Sequence, residues 1–460
     1  MKSCAANGNG LHPPAALWSR IVRLLAAFLL LPASAHGGLV DFARERDPAT
    51  RWEVESRREA DRAAQIDARL VSGTWRGQPW QHELRLTRPA RLAHANLGVL
   101  VVGGDETRSF VEESRLASDA GVVVALLRNV PNQPSFGRSE DDLVAYSFEQ
   151  YLKTGDAEWP VLLPMTRAAL RAMDAASDLA AREWGLTIRR YVVTGASKRG
   201  WTSWLAAVAD PRVAAIAPVV FDNLNISAQL ANQRAVWGRY SGELDDYTDR
   251  ELPRFVDTDR GRRLLATVDP YAYRGALSGV AKLLVNGSND PYWELDAVNL
   301  YWENLPGAKS LLEVPNAGHA AGTDSRVPAT LAAFVGRIAE RRAMPELRWA
   351  DAGASAIAVS SSEQPLTVSF WRADSPSRDF RSARWRRVAA RFADDRFVAD
   401  AAPPERGFSA VFGEAQYPEP RGTFTLSTPV RITPAPDHRA SRSSAASSSA
   451  PLAHSSSSSQ

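Results

Sequence analysis

LGVLVVGG (97–104) and GVVVALLRNVPN (121–132) are near-continuous apolar runs of strand length, each ended by glycine or turn residues. A strand of this kind has no side to give to water. It fits the middle of a mostly parallel sheet covered on both faces. YVVTG (191–195), VAAIAPVVFD (213–222), AKLLVNG (281–287) and KSLLEVP (309–315) repeat the pattern. Helical periodicity separates them at 160–184, 201–210 and 326–343. Strand and helix therefore alternate, which predicts an α/β fold with flanking helices over residues 36–345.

The ends of the chain read differently. Residues 36–63 are charged and predict a strap or short helix. QIDARLVSGTWRGQPWQHELRLTRP (65–89) alternates and predicts two antiparallel strands with a turn at 73–79. After residue 345, SAIAVSSSEQPLTVSFWRAD, SARWRRVAARF and GTFTLSTPVRITPA predict a small β-rich domain over 346–433. Residues 434–460 form a serine-rich tail, with 11 serines between Ser441 and Gln460, and too little apolar surface to fold.

RIVRLLAAFLLLPASA (20–35) places Arg20 and Arg23 before an apolar run, then Pro32 and a small-x-small site at Ala33-Ser34-Ala35. Residues 1–35 thus read as a secretory signal peptide, and the mature chain as secreted or periplasmic, without stable membrane insertion. The formal charge of +3 is matched by Lys2, Arg20 and Arg23 within that leader. The mature chain is near neutral, which gives no footprint for nucleic acid. Cys4 is the only cysteine and also lies in the leader. Thiol catalysis, disulfides and cysteine-bound metal are excluded from the mature chain. No phosphate loop, dinucleotide fingerprint, calcium loop or H-E-x-x-H motif is present, so no cofactor or metal is expected.

Chemistry concentrates at strand ends. In YVVTGASKRGWTSW, Ser197 stands where a strand meets a helix, the position of a nucleophile elbow. Arg199 occupies the second glycine position of G-x-S-x-G, and Gly200 follows one place later. Ser197 read alone is equally a helix cap. A serine nucleophile needs a base. His82 lies in the early strand pair and His94 precedes a strand, whereas His319 follows one, in PNAGHAAG. Asp290 follows KLLV in NGSNDPYW and is the candidate acid; Asp222 is the runner-up, and Asp296 a weaker third. All C-terminal strand ends of a parallel sheet share one edge. The order Ser, Asp, His is that of α/β-hydrolases. The Lys198 amide and Gly104 are candidate oxyanion donors. Arg199, Trp201, Tyr292 and Trp293 flank these positions and are assigned to substrate binding. Lys198 and Arg199 either attract an anion or pair with Glu140 and Asp141. The segment 224–273, rich in tyrosine, reads as a lid or side wall.

NVPNQP (129–134), ED (140–141), TGASKRGWTSWLAA (194–207), FDNLN (221–225), DPYAY (269–273), NGSNDPYW (286–293), PNAGH (315–319) and RDFR (378–381) together resemble the PhoPQ-activated pathogenicity-related proteins. The resemblance covers about residues 75–380. It implies an α/β-hydrolase-like fold, and Ser197, Asp290 and His319 as the triad. It also implies that Lys198-Arg199-Gly200 is the family's own form of the elbow. The expected function is serine hydrolysis of an ester or peptide; the alternative is a catalytically silent hydrolase fold that binds or signals.

Overall fold

The computed structural model describes residues 37–60, 63–105, 111–353 and 355–436. Residues 1–35, read above as a signal peptide, and the part of the serine-rich tail beyond residue 436 lie outside the described residues. The N-terminal segment forms helix α1 (Gly37–Arg44) and then a strand, β1 (Arg51–Ala60), which the charged sequence had not suggested. β1 is the sheet edge and mostly charged and exposed, with only Trp52 and Val54, on one face, half-buried against the core. β2 (Ala63–Trp75) and β3 (Gln78–Pro89) pair antiparallel around a turn at Arg76-Gly77, as their alternation predicts.

The six apolar runs make the centre: β4 (Leu97–Val102), β5 (Val123–Leu127), β6 (Arg190–Ala196), β7 (Val213–Val219), β8 (Ala281–Gly287) and β9 (Lys309–Val314). They lie in the order β5-β4-β6-β7-β8-β9, all parallel, with β3 antiparallel against β5. Every residue of β4 and β5 is buried. The period of two explains how. Leu100 and Val102 join one core with α4 (Leu162–Trp184) and α5 (Lys198–Ala209), numbered after α2 (Glu113–Ala120) and α3 (Glu140–Thr154). Val99 and Val101 join the opposite core with α2 and, further along, α8 (Arg326–Ala339), which follows α6 (Ile226–Trp237) and α7 (Asp259–Val268). The fold is α/β-hydrolase-like: a mostly parallel sheet with helices on both faces.

The β-rich C-terminal segment divides. β10 (Leu347–Asp351), β11 (Ala356–Ser361), β14 (Arg391–Ala393) and β15 (Arg396–Asp400) form their own four-stranded sheet. β12 (Thr367–Ser375), β13 (Arg386–Val388), β16 (Phe408–Glu419), β17 (Gly422–Ser427) and β18 (Arg431–Pro434) instead extend the central sheet to fourteen strands. The joint is β17 against β9, antiparallel at Ser427 and Leu311. Tyr417, Phe424 and Leu426 pack into the same core as α8, so the contact is apolar as well as hydrogen-bonded. Among the described residues no helix is long and apolar enough to cross a membrane.

Candidate active site

Ser197 occupies the cap position of α5, but its side chain caps nothing. Its φ of 56° and ψ of −128° lie in a region that a residue with a Cβ avoids. The turn is fixed from both sides. Ser197 N donates to Val219 O at 2.8 Å, and Trp201 N to Ser197 O at 3.1 Å. A Cβ on Gly195 would lie 2.6 Å from Arg199 O, so only glycine lets the helix start this close to the strand. Gly200 does similar service one place late: a Cβ there would meet Phe221 Cβ at 3.0 Å. The displaced second glycine therefore still faces the neighbouring strand. As the first residue of α5, Lys198 has no carbonyl one turn back for its amide.

The side chains of Lys198 and Arg199 point into a buttress. Lys198 Nζ donates to Glu140 Oε2 at 2.7 Å and pairs with Asp141 Oδ2 at 3.2 Å. Arg199 Nη1 and Nη2 donate to the same Glu140 carboxylate at 2.8 and 2.5 Å, and its Nε to Val130 O at 2.6 Å. Burial works against ionisation of Glu140, yet Arg199 and Lys198 outweigh it and hold the carboxyl down at about 2. Gln133 completes the knot, donating to Glu140 Oε1 at 2.6 Å. Of the two readings of these cations, pairing with the carboxylates is what the structure contains. Arg199, assigned above to substrate binding, does not line the cavity beside Ser197.

The acid and the histidine lie on adjacent turns after β8 and β9. His319 Nδ1 lies 2.8 Å from Asp290 Oδ2. A carboxylate only accepts, so Nδ1 carries the proton and Nε2 is the bare nitrogen. Asp290 Oδ1 accepts from Tyr292 N at 2.9 Å. The Tyr292 ring lies 4.2 Å from the imidazole, centroid to centroid. The two turns touch closely: a Cβ on Gly287 would sit 2.5 Å from both Ala317 O and Gly318 O. Asn316, at φ 59°, donates its amide to Ser288 Oγ at 2.9 Å.

A brace from far along the chain holds both turns, and only RDFR hinted at it. Asn289 Nδ2 donates to Phe380 O, Arg381 O and Ala383 O at 3.0, 3.2 and 2.8 Å. Asn316 exchanges two bonds with the Trp385 backbone, at 3.1 and 2.8 Å.

Ser197, Lys198, Trp201, Tyr292, Trp293 and His319 line one open cavity of about 110 Å³. Two buried polar atoms of these walls have no hydrogen-bond partner: His319 Nε2 and Asn223 Oδ1. Trp201 donates Nε1 to Val268 O at 2.5 Å and stacks on Phe221, so its role in the wall is fixed packing. Gly104 does not line the cavity; its carbonyl accepts from Asn129 N at 2.8 Å. Asp222 follows β7, two strands away from the histidine after β9. It accepts from Tyr301 Oη at 2.5 Å and Asn286 Nδ2 at 3.1 Å, and burial pushes its carboxyl up to about 7. Asp296 pairs with Arg378 at 2.5 Å. His82 is structural, bonded to Ser72 Oγ and Asn129 O, both at 2.9 Å. Among the described residues, no group of three His, Cys, Asp or Glu side chains could hold a metal ion.

Residues 39–381 match the family described as PhoPQ-activated pathogenicity-related protein. The chain belongs to this family. It is 30% identical over 375 residues to autocrine proliferation repressor protein A of Dictyostelium discoideum, across 75% of this chain and 76% of that one. It is also similar to two solved structures. For acetyl xylan esterase 1 of a Thermoanaerobacterium species, the TM-score is 0.44 at 15% identity, over 66% of this chain and 90% of that one. For an S-formylglutathione hydrolase of Agrobacterium tumefaciens, it is 0.40 at 15% identity, over 63% and 99%. In this PhoPQ-related chain the scattered motifs meet in space. NVPNQP, ED and SKR form the buttress behind Ser197, and NGSND, PNAGH and RDFR form the brace behind the histidine.

Proposed function

We propose that this chain is a serine hydrolase that transfers an acyl group from an ester or peptide to water. Ser197 Oγ attacks the carbonyl carbon while His319 Nε2 takes its proton. The tetrahedral oxyanion is met by the Lys198 amide. The bond to the alcohol or amine then breaks, and His319 returns the proton to the leaving group. Water repeats the sequence on the acyl-enzyme, releasing the acid and restoring Ser197. Asp290 holds Nδ1–H throughout and fixes the tautomer. One observation carries most of this reading. A serine in a strained strand-to-helix turn shares a cavity with a histidine whose Nδ1 is tied to a carboxylate and whose Nε2 has no hydrogen-bond partner, Ser197 Oγ included.

The test is labelling with a fluorophosphonate. Labelling is expected at Ser197, abolished by Ser197→Ala and strongly reduced by His319→Ala. Absence of labelling, together with no hydrolysis of activated esters, overturns the enzyme reading. It would favour a silent hydrolase fold that binds or signals, which the name of the Dictyostelium relative also suggests. The basic, apolar and small pattern of residues 1–35 supports export to the periplasm or beyond. N-terminal sequencing from an expressing cell should find a start near residue 36; an intact Met1 refutes export through this leader.

A further inference from the structure

The cavity beside Ser197 has a chemistry of its own, and this inference rests on the serine-hydrolase reading. Its lining is largely apolar, with Phe148, Trp201 and Phe221, and with Leu230, Leu252, Phe255 and Leu265 from the 224–273 segment. Among the described residues lining it, Asp141 and Lys198 are the charged ones, and they face each other at 3.2 Å. Lys198 is also bound to Glu140 at 2.7 Å, and Asp141 accepts from Tyr247 Oη at 3.0 Å. A charged substrate would have to break these contacts within a largely apolar space, at the cost of its own hydration. The sugar of a carbohydrate ester would strand several hydroxyl groups for the same reason. Its many apolar lining side chains are more than an acetyl group could touch, and suit a larger group.

We propose that this cavity takes an uncharged, apolar acyl group of medium length, with the 224–273 segment as the wall that covers its far end. Each methylene buried there is expected to raise kcat/KM about fourfold until the space is filled. Asn223 Oδ1 is left to accept from one neutral donor on the substrate.

The experiment compares p-nitrophenyl acetate, butyrate and octanoate on the mature full chain. The expected order is acetate below butyrate below octanoate, with at least about a 100-fold span in kcat/KM. Leu230→Trp and Leu265→Trp should each lower the octanoate-to-acetate ratio, with thermal melts to confirm folding. A flat or falling series overturns the apolar assignment while leaving the serine hydrolase intact. A second measurement does not depend on catalysis. Calorimetric titration of Ser197→Ala should show octanamide binding at least about 100-fold tighter than acetamide, by the same methylene increments. Equal binding refutes the proposal whatever the serine does. Tight octanamide binding without fluorophosphonate labelling of the unmodified chain would uphold the pocket and refute the hydrolase.

Discussion

Ser197 and His319 face one cavity, yet the structure holds them by different means. The serine turn is set by its own sequence neighbours, two glycines and a strained residue, and is then backed by charge: Lys198 and Arg199 on Glu140. The Asp290 and His319 turns are backed by neutral amide bonds from Asn289 and Asn316 to backbone 69 to 94 residues further on. A charged buttress is sensitive to loss of one partner, because the other charge remains half-buried. A carboxamide brace fails more gently, one hydrogen bond at a time. The site thus separates a stiff, locally encoded half from a half that depends on the C-terminal strands being in place.

The largest expected effect falls on the second half but not on its brace. Asp290→Asn keeps one acceptor oxygen and the size of the side chain. It no longer enforces Nδ1 protonation of His319. Turnover should fall about 10⁴-fold with the fold preserved, by analogy with the serine-protease template. Asp222→Asn should cost far less in kcat, since Asp222 bonds Tyr301 and Asn286 and not the histidine. Steady-state kinetics on an activated ester, beside thermal melts, separates the two. Comparable losses would assign the acid to Asp222.

The charged buttress comes next. Arg199→Ala leaves Glu140 with Lys198 alone and Val130 O without its donor. A loss of about 3 kcal/mol is expected, at the low end for breaking a buried pair because the Glu140 side chain is 38% exposed. Urea unfolding measures it. The Lys198 side chain is likewise a buried structural cation, so Lys198→Ala should destabilise the elbow by a similar amount even though only its backbone amide is assigned to the oxyanion.

Asn289→Ala tests the brace. Three backbone carbonyls lose a donor, so a stability loss of about 1–3 kcal/mol is expected. A positioning role also predicts that kcat falls more than KM rises, roughly 10-fold, as the His319 turn loosens. Asn289→Asp keeps the shape but removes the donors and should not rescue. An unchanged kcat in a destabilised Asn289→Ala protein would make the brace structural only.

These contrasts follow what the sequence could carry. The parallel strands were legible because a run such as LGVLVV has no polar face, and both faces of β4 are in fact buried. The elbow was legible because Gly195, Ser197 and Gly200 are neighbours in the chain. The Asp290–His319 contact spans 29 residues but rested on chain order and strand ends alone. The brace was not legible: Asn289 and Asn316 look like ordinary turn residues until Phe380 to Trp385 arrive beside them. β1 was hidden because this edge strand is mostly charged, and its apolar alternation, Trp52 and Val54, is too short to stand out. Nor could local patterning distinguish β17, which joins the central sheet at β9, from the strands of the separate sheet.

Beneath the acid turn lies a group of buried carboxyls, and it gives the smallest but most diagnostic effect. Asp222, Glu294 and Glu313 line one small cavity with Asp290. Burial pushes Asp222 and Glu294 up to about 7 and Glu313 well above its usual range, with the neighbouring carboxyls of Asp222 and Asp290 adding to the rise of Glu313. In the unfolded chain all three ionise near pH 4. Between about pH 4 and pH 7 the unfolded chain therefore binds fewer protons than the folded one. Stability tied to these groups is complete below that window and is lost as pH rises through it. Glu140 acts with the opposite sign, but its window lies below, between its folded value of about 2 and the ordinary range. The melting temperature should consequently drop from pH 5 to pH 8. Glu313→Gln removes one buried acid, so its drop should be smaller than that of the unmodified chain. Parallel melting curves for the two proteins across this range would show that the cluster does not set the slope. A shallower curve, with activity at pH 8 retained, would separate this acidic floor from the acid that holds His319.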